Sequence, residues 1–110
     1  MEEGNLEVAI GHLTTLTDMA PDFAEGWNAR ATAFYLAGRF GESLADIQHV
    51  LSLEPRHFGA LSGLGMILNE LGDEAQALKA FRASLAIHPH QDSIKRAVED
   101  LERALSGREL

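Results

Sequence analysis

The stretch FGALSGLG, Phe58 to Gly65, packs three glycines into eight residues. Glycine-rich loops cradle phosphates when the neighbouring chemistry is right. A Walker-type loop needs Lys and then Ser or Thr directly after its last glycine, to reach the phosphates and the magnesium. Met66 and Ile67 follow here instead. The dinucleotide spacing G-x-G-x-x-G is missing and no strand-like run precedes the segment, so nucleotide binding is not expected. Five histidines raise metal binding, above all His88-Pro89-His90. His88 closes one helical pattern and His90 lies beyond the proline. Their rings need not converge, and neither shares a helix with an acid or histidine four residues away. Serines occur on helical stretches, but none pairs with a histidine and a carboxylate, as nucleophilic catalysis would require. No catalytic residue, metal or cofactor is expected.

Composition narrows the partners. A formal charge of −8 repels phosphate backbones, which argues against nucleic acid and anionic membrane surfaces. The charge is uneven: residues 1–20 hold four acids and no base, whereas residues 55–88 balance three against three. Cysteine is absent, which excludes disulfides and thiolate-bound metal. No apolar run reaches membrane-spanning length, and the opening MEEGNLEV is acidic where a signal peptide would be basic. A soluble protein is expected, cytoplasmic by default and periplasmic if a leader has been removed.

The prolines reveal the organisation. Pro21, Pro55 and Pro89 stand 34 residues apart, and so do Gly4, Gly38 and Gly72. The same period links the small residues Ala9, Ser43 and Ala77. It also links the large apolar columns Leu13, Ile47, Phe81 and Met19, Leu53, Ile87. A fixed period in this range marks a repeat of one supersecondary unit. His12 and His49 fall in different columns, so they do not stack.

Each period contains two helical patterns. Phe23, Trp27, Ala31 and Phe34 recur at helical spacing, and Gly38 stands where a left-handed terminator is wanted. Phe40, Leu44, Ile47 and Leu51 form the second stripe, which Pro55 ends. The next period repeats this over Phe58–Leu71 and Glu74–Ile87. Short loops make each pair an antiparallel hairpin. A helix from about Asn5 to Met19 opens the chain in the place of a second helix. Another from about Asp92 to Leu105 closes it in the place of a first helix. The expected fold is an all-α solenoid of stacked antiparallel hairpins, counted as five helices in a single domain over residues 1–110. Its parts are a half-repeat (1–20), repeats at 21–54 and 55–88, and a capping helix (89–110).

Trp27, Arg30-Ala31, Phe34, Ser43, Ile47 and Pro55 together resemble the tetratricopeptide signature W-x2-L-G-x2-Y, A-x3-F, P. Leu61, Leu64-Gly65, Leu68, Ala77, Phe81 and Pro89 match it better. Arg30 departs where an apolar residue is usual, and Lys95, Glu99 and Glu102 depart in the last helix, as a cap would. Gly65 shares a column with Ala31, where the helices of a hairpin pass closest, with Ser43 and Ala77 expected opposite. Gly59 and Gly63 admit two readings, tolerated packing or space beside a partner.

The resemblance implies a groove lined by first helices that receives an extended peptide or a helix of a partner protein. Carried onto this chain, the wall holds Glu25, Asn28, Thr32 and Tyr35, then Ser62, Met66 and Asn69, then Arg96 and Asp100. Some relatives grip a C-terminal carboxylate with two lysines, two asparagines and an arginine. Asn28, Thr32, Gly63, Ser93 and Ala97 stand at those positions, without a cation, which disfavours that kind of receptor. The leading expectation is a non-enzymatic interaction scaffold. The alternative is self-association of a longer solenoid through Leu6, Ile10, Leu13 and Leu16 on the unpaired first helix.

Overall fold

The computed structural model describes residues 3–109, and all regular structure among them is α-helix. The helices are α1 (Glu3–Met19), α2 (Ala24–Leu36), α3 (Phe40–Leu53), α4 (Phe58–Glu70), α5 (Glu74–Ile87) and α6 (Asp92–Glu109). This corrects the count of five to six: two complete hairpins supply four helices, and each flanking half-unit adds one. The outermost bounds of those half-units, residues 1, 2 and 110, lie outside the described residues. None of the described helices is long and apolar enough to cross a membrane. The last helix runs beyond the expected Leu105, because Gly107 keeps a negative φ and does not terminate it.

The turns inside the hairpins are set by two glycines. Gly38 and Gly72 adopt φ of 75° and 85°, the left-handed region that costs glycine little and other residues more. Behind each, the same pair of hydrogen bonds closes the helix end. Gly38 N–H donates to Tyr35 O and Arg39 N–H to Phe34 O; Gly72 N–H donates to Asn69 O and Asp73 N–H to Leu68 O. Two orphan carbonyls are satisfied at each end this way. The start of α4 is capped by His57 Nδ1, which accepts from Ala60 N–H, and the start of α5 by Asp73, which accepts from Gln76 N–H.

Contacts gather into two compact units, Met1–Pro55 and Arg56–Leu110. The first unit is α1, α2 and α3, with α2 packed on both neighbours. Ile10 on α1 meets Ala33 and Phe34 on α2, with Leu13 and Ala37 closing the seam. Between α2 and α3 the approach is close enough for the buried Ser43 hydroxyl to donate to Ala31 O at 2.6 Å. At the other end of the hairpin, the Trp27 indole N–H donates to Pro21 O at 2.8 Å, and the His49 ring stacks on Trp27 at 3.8 Å.

The second unit is α4, α5 and α6, with α5 in the middle. Ala77, Leu78, Phe81 and Leu101 form its core, flanked by Ile94, Ala97, Val98 and Leu105 of α6. Gly65 is buried, and the atoms nearest to it across the hairpin are those of the Phe81 ring. A β-carbon at Gly65 would stand 2.6 Å from Cδ1 and Cε1 of the Phe81 ring. Phe58 is 41% exposed and lies against the His88 ring at 4.6 Å.

Candidate partner-binding surfaces

On α2 the buried residues are Ala24, Gly26, Ala31, Ala33 and Phe34. Burying them turns Glu25, Asn28, Thr32 and Tyr35 onto one stripe of the opposite side, at spacings of three and four residues. Glu25 and Thr32 are exposed, and Asn28 and Tyr35 are half-buried. Thr32 donates its hydroxyl to Asn28 O at 3.1 Å, within its own helix. The Tyr35 ring rests 5.5 Å from Phe40, which holds it by packing on the start of α3. The stripe therefore combines amide, hydroxyl and an anchored aromatic ring.

In the second unit, Met66 and Asn69 are exposed and lie a turn apart on α4. Arg96 and Asp100 are exposed on α6, where Asp100 accepts from Arg103. Ser62 does not join them. It is buried, with its hydroxyl 2.6 Å from that of Ser84 on α5 and 3.1 Å from Gln91 Oε1. Ser84 in turn donates to Phe58 O. Ser62 therefore binds α4 to α5 and is not a wall residue.

The apolar stripe of α1 also differs from expectation. Leu6 and Ile10 are only 5% and 7% exposed, since the chain's own α2 covers that side of the helix. They are unavailable for self-association. Leu13 is half-buried, and Leu16 is 36% exposed.

A second feature was missed in the sequence. Arg30, the departure from the repeat pattern, forms a two-pronged ion pair with Asp46 of α3, at 2.8 Å from Nε and 2.7 Å from Nη2. Its Nη1 reaches Thr14 Oγ1 of α1 at 3.3 Å, so one guanidinium ties three helices. The Phe34 ring lies beneath both Arg30 and Arg39, at 5.4 and 4.8 Å. These groups, with Ile10, Glu42 and Ala45, line a cleft of about 330 Å³. The hydrogen bond that Arg30 donates to Asp46 holds the guanidinium above its ordinary pKa, against the opposing effect of burial. Arg39 likewise holds the Glu42 carboxyl below the usual carboxylate range through a hydrogen bond at 2.7 Å. Cations and acids in the cleft satisfy one another, so its chemistry is structural adhesion. The signal was present: Arg30 and Asp46 occupy columns that hold Leu64 and Ala80 one period later.

The profile of the tetratricopeptide repeat matches residues 1–48 and again residues 37–92. The chain belongs to the tetratricopeptide repeat family. A tetratricopeptide-repeat-containing protein of Rhizobium etli is 40% identical over 107 residues, covering 97% of this chain and 52% of that protein. The Hsp70-Hsp90 organizing protein of Triticum aestivum is 30% identical over 104 residues, covering 94% of this chain and 18% of that protein. This tetratricopeptide chain thus spans about half the length of the first relative and less of the second. Among solved structures, the first tetratricopeptide domain of Spaghetti (RPAP3), bound to the HSP90 peptide SRMEEVD, superposes with a TM-score of 0.88. It is 21% identical, with 94% of this chain and 82% of that one covered, a likeness of fold.

Proposed function

We propose that this tetratricopeptide chain is a non-catalytic interaction module that receives a peptide or helix of a partner protein on its first-position helices. The observation that carries the reading is the stripe Glu25, Asn28, Thr32, Tyr35 on α2, which packing turns away from the buried face. A rigid helix offers these groups without an ordering cost of its own, so more of the contact energy appears as affinity. In the second unit, Met66 and Asn69 on α4 offer the same chemistry. Met66 supplies adaptable apolar contact, and Asn69 supplies both a donor and an acceptor for peptide backbone.

The solved neighbour holds an acidic peptide, whereas this chain presents Asn28, Thr32, Gly63, Ser93 and Ala97, none of them a cation, where carboxylate-gripping relatives place two lysines, two asparagines and an arginine. Recognition here is directed at backbone amides and apolar side chains. Fluorescence anisotropy with labelled SRMEEVD should accordingly show weak binding that salt barely changes. Capture of partners by the immobilised chain, beside Asn28→Ala/Asn69→Ala, tests the surface itself. The double variant should bind a captured partner roughly tenfold more weakly, a loss of about 1.4 kcal/mol. Equal binding by both proteins counts against the assignment.

A further inference from the structure

Charge is divided unevenly between the two compact units. Residues 1–55 hold nine acids and two bases, whereas residues 56–110 hold eight and seven. Both bases of the first unit are committed to its own acids, Arg30 to Asp46 and Arg39 to Glu42 and Glu7. The unit's field is therefore negative, and no cation in it is left to attract an anion. Along α2 the exposed groups change character from end to end. Asp22 is exposed just before the N-cap Phe23, and Glu25 is exposed in the first turn. Asn28 and Thr32 follow, and at the far end Leu36 is 55% exposed next to Tyr35.

Acids at a helix start also offset the helix dipole, but the repeat does not demand them there. In the columns of Asp22, Glu25 and Leu36, α4 holds Arg56, Gly59 and Glu70, and α6 holds His90, Ser93 and Ala104. Helix α4 begins without an acid in its first turn and is still fully formed. In these columns an acidic start with an apolar end is peculiar to α2, so the fold does not account for it.

Resting on the interaction module proposed above, we infer that α2 receives an extended basic segment of the partner. A lysine or arginine of that segment sits against Asp22 and Glu25, and an apolar side chain sits against Tyr35 and Leu36. From Glu25 to Leu36 the helix rises about 16 Å, which an extended chain spans in about five residues. The segment is extended because the Asn28 amide suits free backbone groups, and a helical partner has already satisfied its own. A carboxylate accepts several donors, so each acid can take an incoming cation without giving up a bond it already has. The negative field speeds the approach of basic segments and turns acidic ones away.

A phage-displayed library of random short peptides, panned on the intact chain, supplies the probe. Enriched peptides should carry Lys or Arg and an apolar residue about five positions apart, with acids depleted. An enriched peptide, labelled for fluorescence anisotropy, should bind Asp22→Asn/Glu25→Gln about tenfold more weakly and Leu36→Ala severalfold more weakly. Binding to the unaltered protein should weaken severalfold from low to high salt. Glu99→Gln, a like loss of charge on α6, should leave binding unchanged, and circular dichroism should show every variant folded. Enrichment of neutral or acidic peptides whose binding Asn28→Ala weakens overturns the basic partner and leaves the interaction module standing. Basic peptides indifferent to Asp22→Asn/Glu25→Gln overturn it as well. Absence of enrichment, or binding that Asn28→Ala leaves intact, overturns the α2 surface and with it both readings.

Discussion

The ring of Phe81 occupies the space that a side chain on Gly65 would need, with ring carbons 2.6 Å from the position of the absent β-carbon. In the first hairpin the same two columns hold Ala31 and Ile47, both 2% exposed. A larger residue on one helix is matched by a smaller one on the other, and the two pairs fill their seams in different ways. Gly65→Ala should therefore destabilise the protein by about 1–3 kcal/mol through overpacking, although alanine is the better helix former. Adding Phe81→Ile should recover part of that loss by restoring the first hairpin's pair. Thermal melts of the two single variants and the double variant measure the coupling, and additive losses would contradict it.

The Arg30–Asp46 pair admits a parallel test. Asp46→Ala leaves a guanidinium largely removed from water without its counter-charge. Arg30 keeps some solvent access, with its side chain 16% exposed, so a loss of about 2–3 kcal/mol is expected, at the low end for a broken buried pair. Arg30→Leu/Asp46→Ala installs the residues of the second hairpin, Leu64 and Ala80, and should be close to wild type. Urea midpoints at constant m-value decide between these outcomes.

Gly72 isolates conformational cost from crowding. Its φ is 85°, yet nothing lies within 4 Å of where a β-carbon would stand. Gly72→Ala should cost about 1 kcal/mol from backbone strain alone, and Gly72→Asn less, because asparagine tolerates the left-handed region. Equal melting temperatures for all three proteins would show that the turn does not hold this conformation in solution.

Acid sensitivity follows from Glu42. Its carboxyl is held below the usual range by Arg39, so its contribution is present above the ordinary glutamate pKa and is lost as pH falls through the lowered one. Arg30 is shifted the other way, upward, and its contribution is lost only at strongly alkaline pH. Glu42→Gln should be less stable than wild type at pH 7, and the two should converge as the pH falls below the ordinary glutamate range. Denaturation midpoints across that range test the sign, and a constant gap would refute it.

Much of the architecture is readable from spacing alone. Gly38 and Gly72 mark the turns because only a residue without a β-carbon takes their φ cheaply, and Pro55 stops α3 where its pattern predicts. What spacing hides is direction. Ser62 shares a polar stripe with Met66 and Asn69, yet its hydroxyl is drawn to Ser84 and Gln91, and a helical wheel does not distinguish the two fates. Leu6 and Ile10 look bare on a lone helix, but α2 covers them because a helix in the middle of three packs on both neighbours. Arg30 reads as a misfit until Asp46 is seen to depart from the repeat in step with it. Whether Asn28 and Asn69 meet a partner is a property of the partner's chemistry as well, which no spacing in this chain encodes.

Divergence between the two hairpins also protects the chain against a hazard of its own repetition. Near-identical units can fold by pairing the wrong helices, a trap that deepens as units grow alike. Here α2 laid on α5 would bury Arg30 beside Ala80 and press the methyl of Ala31 into the Phe81 ring. Laying α4 on α3 would set Leu64 against the bare carboxylate of Asp46. Each second helix thus discriminates in favour of its own first helix, and the error is penalised from both sides. In the native pairing Arg30 meets Asp46 and Phe81 meets a bare Gly65, and a helix exchanged between hairpins would lose one of these matches.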